Sequence, residues 1–136
     1  VESYARLGVL GGKNSRSGEG EETNASIGAK HEFGDPNENL PIRSFLRVPI
    51  SDNFQKYIDA SAFFKSKKAF QECIEKGTIE PIITKFGILG EQIALEAFDT
   101  GGFGKWKPSN MKFKKTKQTL VETGQLMKAI VSDVKT

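Results

Sequence analysis

The sequence predicts an α+β fold, in which a small antiparallel sheet has two main helices packed on one face and long mobile loops around them. Three observations lead to this prediction. Apolar residues recur at helical spacing over residues 54–73 and again over residues 82–97, and short β-type segments lie near both ends of the chain. The 136 residues suit one domain spanning residues 1–136, and the 14 glycines indicate extensive surface loops.

The first predicted element is a short strand from Tyr4 to Leu10, which ends at a pair of glycines. A mobile loop is predicted over about residues 11–24, because no large apolar side chain in that stretch offsets the entropy of ordering the backbone. A short helix then begins at its N-cap residue Asn24, and Gly34 is well placed to end it.

The next predicted element is an extended segment between Pro41 and Pro49, because a proline disfavours the helical conformation in the residue before it. Residues two apart in an extended chain share a side, so Arg43, Phe45 and Arg47 would project together. Such a segment suits docking onto a neighbouring subunit, since little entropy is lost on binding. In the alternative, Phe45 and Leu46 enter the core of their own subunit and the arginines pair locally.

Two long helices are predicted to form the main body of the domain. The first begins at the N-cap residue Asp52 and ends at Gly77. Tyr57 and Phe64 fall outside its apolar face, which makes them candidate contacts between subunits. The second helix is capped by Thr78 and carries two glycines that close helix packing would explain.

The C-terminal part of the chain is predicted to contain a basic arm over about residues 101–119, followed by one turn of helix and a strand. The arm begins at a glycine-rich break and shows neither helical nor strand periodicity. The β-branched residues at Ile130, Val131 and Val134 favour the strand. This strand is predicted to pair with Leu7–Leu10, which closes the sheet.

The residues that catalysis or metal binding would need are scarce. A chain with one cysteine and one histidine has no internal disulfide and no Cys/His zinc cage. The stretch from Gly11 to Ser15 lacks the spacing of a phosphate-binding loop. His31 and Glu32 are neighbours on a helix, so their side chains point about 100° apart and do not act as a pair. The sequence therefore predicts a protein that is not an enzyme and has no cofactor.

Charges of opposite sign are separated along the chain, which concerns partners more than fold. An acidic cluster consists of Glu19, Glu21 and Glu22. The basic arm carries Lys105, Lys107, Lys112, Lys114, Lys115 and Lys117 beside Trp106. We expect the acidic cluster of one subunit to approach the basic arm of the next. The alternative function is a small basic module that binds nucleic acid, because lysines interleaved with aromatic rings neutralise phosphates and stack on bases.

Several short motifs follow one another in a specific order. They are Val9 to Lys13; Ile27 through His31, Glu32, Phe33 and Gly34; Pro41 through Arg43, Phe45, Leu46 and Arg47; Trp106 to Ser109; and Leu120 through Thr123, Gly124 and Leu126 to Val134. Their order and spacing resemble the phage virion-morphogenesis family, close to the tail-completion and neck proteins of long-tailed bacteriophages. The resemblance covers nearly the whole chain.

The resemblance implies a structural protein that forms a homo-oligomeric ring, of about six or twelve copies, at the junction between capsid and tail. Its partners would be further copies of itself and the adjacent neck, connector or tail proteins, with non-specific contact to packaged DNA. We expect assembly in the host cytoplasm, a final location in the virion, and no membrane partner. The motif residues from His31 to Gly34, with Pro41, Leu46, Thr123, Gly124 and Leu126, would have structural roles.

Overall fold

The computed structural model describes residues 3–9, 23–106 and 124–135, and over these ranges the predicted α+β class is confirmed. A two-stranded antiparallel sheet combines with several helices. The elements, in chain order, are β1 (Tyr4–Val9), α1 (Asn24–Phe33), a 3₁₀ helix (Pro36–Glu38), α2 (Arg47–Ala60), α3 (Ala62–Lys65), α4 (Lys68–Lys76), α5 (Glu80–Thr100), a helical segment over residues 124–129, and β2 (Ile130–Lys135).

The sheet joins the two ends of the chain, as the sequence predicted. β1 pairs with β2 in antiparallel register, with Tyr4 opposite Lys135 and Val9 opposite Ile130. Residues 124–129 are helical and lead directly into β2, which confirms the predicted helical turn before the strand. The strand follows from β-branched residues, whose side chains pack well on a pleated surface.

Helix α5 packs against one face of this sheet, and two glycines allow the close approach. A Cβ atom added at Gly87 would lie 2.9 Å from the hydroxyl oxygen of Ser132 on β2. A Cβ atom added at Gly90 would lie 2.7 Å from a terminal methyl carbon of Leu7 on β1. The predicted reason for these glycines, close packing, is therefore confirmed, but the element that approaches is the sheet and not another helix.

The core lies where the C-terminal half of α5 meets the sheet and the segment before α2. Its buried members are Phe45, Ala94, Ala97, Leu126 and Ile130. Aromatic pairs continue the packing along α5: the ring centroids of Phe54 and Phe86 are 5.6 Å apart, and those of Phe45 and Phe98 are 5.0 Å apart. Helix α2 therefore runs antiparallel to α5, with its N-terminus near the C-terminal end of α5.

Helix α1 forms as predicted, because the signals at both of its ends are local. The Thr23 hydroxyl accepts a hydrogen bond from the backbone N–H of Ser26 at 3.1 Å, so the cap lies one residue before the predicted Asn24. Gly34 ends the helix with φ 77°, a conformation that glycine adopts without a steric penalty. The turn that follows is closed by the paired backbones of Asp35 and Leu40.

The single helix predicted from Asp52 to Gly77 is wrong. The helix begins earlier, at Arg47, and Pro49 is its third residue, where the missing backbone N–H would have had no partner within the helix. The chain then leaves the helical conformation at Ser61 and Ser66, where ψ is 122° and 159°. Serine hydroxyls compete with the helical hydrogen bonds, and that of Ser66 donates to the Phe63 carbonyl at 3.4 Å. Gly77 ends α4, as predicted.

The start of the predicted basic arm, residues 101–106, is a folded turn and not an extended arm. The backbone N–H of Gly102 donates to the Ala97 carbonyl at 2.6 Å, and that of Trp106 donates to the Gly101 carbonyl at 2.9 Å. These bonds fold the chain back onto the end of α5. The rest of the arm and residues 11–22 of the predicted loop lie outside the described residues.

Candidate functional site

The segment that joins α1 to α2 is organised around the carboxylate of Glu32. Glu32 lies in the last turn of α1 and is 5% exposed. The turn after α1 brings the chain back alongside the helix, so that the Arg43 N–H donates to the His31 carbonyl at 2.7 Å. The residues before α2 therefore pass directly over the end of α1.

The Glu32 carboxylate caps the N-terminus of α2 from another helix. One oxygen accepts the backbone N–H groups of Leu46 at 2.9 Å and Phe45 at 3.2 Å, and the other accepts the Ser44 hydroxyl. The Ser44 oxygen in turn accepts the Val48 N–H at 3.0 Å. A helix N-terminus presents unpaired N–H groups and a positive dipole end, so a buried anion is stabilised there. Glu32 thus fixes where α2 begins.

Phe45 is not available as a contact between subunits, and that prediction is wrong. Its side chain is 1% exposed and belongs to the core. The Phe45 ring faces Gly28 of α1, where an added Cβ atom would come within 3.4 Å of it. The error has a physical cause. An extended conformation was predicted for all of residues 41–49, whereas helix α2 begins at Arg47, so Phe45 and Arg47 do not project to the same side.

The two arginines differ from each other in their surroundings. Arg47 has a 63% exposed side chain, and its Nε lies 3.9 Å from the Glu32 carboxylate. Arg43 is half-buried beside α1. Burial of Phe45 together with local pairing of Arg47 corresponds to the alternative that the sequence left open.

Lys105 and Trp106 make contacts within the chain. The Trp106 indole N–H donates to the Ser44 carbonyl at 3.1 Å, and the ring meets Phe98 edge-on with 5.6 Å between centroids. Lys105 forms an ion pair with Asp52 of α2. Asp52 is therefore an ion-pair partner inside the helix and not the predicted N-cap. Both interface candidates tie the end of α5 to the start of α2.

Residues of the motifs that carry the family resemblance meet at this one place. Leu126 is fully buried and lies against Gly28 on α1, as Phe45 does. The Trp106 indole N–H donates to the carbonyl of Ser44, whose hydroxyl binds the Glu32 carboxylate. Gly124 belongs to the helical segment that carries Leu126, and Thr123 lies outside the described residues. Motifs that are far apart in sequence therefore form one packed unit.

An apolar groove of about 590 Å³ opens beside this unit. We call it the α1–α2 groove. Residues from β1, α1 and the start of α2 line it, among them Val9, Ala29, Phe33, Leu46, Arg47 and Ile50. The Phe33 side chain at its rim is largely exposed. Spacing alone could not reveal this groove, because its walls come from three separate elements.

A second exposed apolar surface lies on α4. Phe70 and Ile74, one helical turn apart, are 67% and 80% exposed. We call this pair with its neighbour Glu75 the α4 ridge. The sequence predicted one long helix over this region, with its apolar residues at helical spacing on a single face. The breaks at Ser61 and Ser66 change the direction of the chain and leave this part of the stripe outside.

The predicted contacts Tyr57 and Phe64 are both partly covered by their own chain. Phe64 stacks on Phe86 of α5 with 5.3 Å between ring centroids and an interplanar angle of 21°. Burial raises the pKa of the Tyr57 hydroxyl, and the charge of Glu96 adds to this effect. Phe64 thus helps hold α3 against α5, and the more exposed aromatic side chain in this part of the molecule is Phe70.

The remaining predicted interface residues lie outside the described residues: Glu19, Glu21, Glu22, Lys107, Lys112, Lys114, Lys115 and Lys117. Within the described ranges, histidine, cysteine and acidic side chains form no group of three that would hold a metal ion. No helix in the same ranges combines the length and hydropathy that crossing a membrane requires.

Comparisons with protein-family models, curated proteins and solved structures give no match to this chain.

Proposed function

We propose that this protein is a structural subunit of a phage virion, a neck or tail-completion protein that forms a homo-oligomeric ring joining the tail to the head. Assembly would take place in the host cytoplasm, and the protein would end in the virion. Its action is binding by shape and charge complementarity to other copies and to the adjoining connector or tail proteins.

The main support is the convergence of the resemblance motifs on the Glu32 cap. Glu32 and Ser44 set the start of α2, Trp106 attaches to Ser44, and Leu126 packs in the same core. Four of the five motifs therefore contribute residues to one connected unit. This distribution is typical of a protein whose characteristic residues maintain a shape for assembly. The α1–α2 groove and the α4 ridge further support the proposal, because exposed apolar surfaces of this kind mark sites of protein–protein contact.

The test is genetic, in a phage that carries this gene. Deleting the gene is expected to give filled heads and separate tails in the lysate, seen by electron microscopy, and few joined particles. A plasmid copy of the gene should restore joining, and an epitope-tagged copy should be located at the joint of the restored particles. Normal virions in the absence of the protein would contradict the proposal.

The alternative function, a nucleic-acid-binding module, receives no support from the described part of the basic arm. The Trp106 ring packs on Phe98 and against Gly102, and Lys105 pairs with Asp52, so these side chains are engaged within the chain. A mobility-shift measurement with labelled duplex DNA at physiological salt separates the two functions. We expect no shift; a shift that weakens steeply with added salt would favour the alternative.

A further inference from the structure

The two exposed apolar surfaces lie at opposite ends of α2. The α1–α2 groove is lined by Ile50 in the first turn of α2, whereas α4 follows the end of that helix. The helix has 14 residues and is therefore about 21 Å long. The aromatic pairs along α5 hold the two helices side by side. The α4 ridge of one copy therefore does not reach the groove of the same copy.

The two surfaces are complementary in shape and chemistry. The ridge projects an aromatic ring and a branched aliphatic side chain, Phe70 and Ile74, from one face of a helix. The groove is concave and apolar, its volume of about 590 Å³ accommodates side chains of this kind, and Phe33 is exposed at its rim. Burying such surface from water is favourable, and aromatic rings contribute much of the contact area at subunit interfaces.

The charges beside the two surfaces are also complementary. Glu75 is exposed and follows Ile74 in the sequence, about 100° around α4 from it, so its carboxylate lies at the side of the ridge. Arg47 lines the groove and keeps a 63% exposed guanidinium group. When an α4 ridge enters the groove, the Glu75 carboxylate at its side meets the guanidinium group of Arg47, which Glu32 holds only at 3.9 Å. Pairing of this kind orients a contact and guides its formation more than it adds affinity.

We propose that the α4 ridge of one copy binds in the α1–α2 groove of the next copy. The contact is head-to-tail, because each copy contributes two different surfaces. Successive contacts close into a ring when the rotation between copies allows closure. This inference deepens the proposed function, on which it rests for the ring itself, by naming the two surfaces that join neighbouring subunits.

The test uses two variants that each disable one surface of the full-length chain. Phe70→Glu/Ile74→Glu places charges on the ridge, and Ala29→Glu places a charge on an exposed position in the wall of the groove. Each variant alone should be monomeric in sedimentation experiments under conditions in which the wild type associates. A mixture of the two should form dimers and nothing larger, because one intact ridge and one intact groove remain for each pair.

Ile42→Glu is the matched control, since Ile42 is 63% exposed but belongs to neither surface. This variant should associate like the wild type, and circular dichroism should show that all the variants keep the native helical content. Association of the ridge variant alone, or a mixture that stays monomeric, would overturn the proposed contact. Rings formed by a ridge variant would leave the proposed function intact, whereas normal virions without the protein would overturn that function and not the contact.

Discussion

At the residue scale, Glu32 connects the local sequence to the tertiary structure. Its carboxylate is buried, and it is compensated by the Ser44 hydroxyl, by two backbone N–H groups and by the N-terminal dipole of α2. Hydrogen bonds to an ionised group are about twice as strong as neutral ones. Removing this one side chain would leave several buried donors without an acceptor, which costs more than a typical surface hydrogen bond contributes.

Replacing Glu32 by alanine is expected to lower the free energy of unfolding by about 3 kcal/mol, because the N-terminus of α2 loses its cap. Glu32→Gln keeps an acceptor and should cost about half as much. Urea denaturation followed by circular dichroism measures both changes. Glu38→Ala is the control, since it removes only the surface ion pair with Lys30 and should change stability by less than about 1 kcal/mol. Equal effects of Glu32→Ala and Glu38→Ala would contradict the capping role.

Phe45 shows why some residue-scale predictions failed. Its apolar character predicted burial or an interface equally well, and the choice depended on the conformation of the following residues. A distant carboxylate, Glu32, starts α2 at Arg47, and no local sequence signal encodes that contact. By contrast, Gly34 was predicted correctly, because the need for a positive φ at the end of a helix is local.

At the element scale, the contact between α5 and the sheet depends on two glycines that are not equivalent. The Gly87 position faces the Cβ and Oγ atoms of Ser132, which are held close to the backbone of β2. The Gly90 position faces a terminal methyl group of Leu7, which can rotate away. Crowding against the first requires α5 and β2 to move apart by a few tenths of an ångström, whereas crowding against the second is relieved by a change of rotamer.

Gly87→Ala is therefore expected to destabilise the protein by about 1–3 kcal/mol, the usual cost of adding a carbon atom to a well-packed core. Gly90→Ala should lie within about 1 kcal/mol of the wild type, because the higher helix propensity of alanine offsets the adjustment of Leu7. Thermal or urea unfolding of the two variants under identical conditions provides the measurement, each variant serving as the control for the other. A larger loss of stability in Gly90→Ala than in Gly87→Ala would show that the sheet packs on α5 in a different way.

The sheet itself carries a cross-strand ion pair that predicts an effect of pH. The hydrogen bond from Arg6 lowers the pKa of Asp133 below its ordinary value of 3.8; burial opposes this shift, and the charges of Arg6 and Lys135 add to it. The unfolded chain therefore binds this proton more tightly than the folded one. The stabilisation is complete above pH 3.8 and is lost as the pH falls through the lowered pKa.

Asp133→Asn should accordingly reduce stability at neutral pH, and the difference from the wild type should shrink in acid below pH 3.8. The effect should be small, because both side chains are exposed to solvent. Unfolding free energies measured over a series of pH values provide the test. Asp99→Asn, an exposed change near the end of α5, is the control. A constant difference at all pH values would show that the ion pair is not its source.

The elements that could be predicted from sequence are those with local signals. Helix α1, the pairing of β1 with β2, and the helical turn before β2 follow from caps, glycines and β-branched residues. The division of the predicted long helix into three helices could not be predicted, because residues 54–73 keep one periodic pattern across the breaks. Serine is also tolerated inside helices, so whether the chain breaks at Ser61 and Ser66 depends in addition on how α3 and α4 pack against α5.

At the scale of the whole molecule, hydrophobic side chains remain exposed on the α4 ridge and at the rim of the α1–α2 groove. The hydrophobic fraction of the sequence is only 37%, and part of it lies on the surface. The sequence named Phe45, Tyr57 and Phe64 as the aromatic candidates for contacts between subunits. Phe45 is buried in the core and Phe64 stacks on Phe86, whereas Tyr57 is half-buried. An aromatic residue carries no sequence signal that distinguishes a core from an interface.

If neighbouring copies stabilise one another through these surfaces, the melting temperature should rise with protein concentration, because association favours the folded state by mass action. The Phe70→Glu/Ile74→Glu variant should melt at a temperature independent of concentration and equal to that of the diluted wild type, since both side chains are largely exposed in a single copy. Scanning calorimetry over a dilution series measures this. Ile42→Glu should keep the concentration dependence of the wild type. A wild-type melting temperature that does not change with concentration would show that the isolated subunit gains no stability from its neighbours.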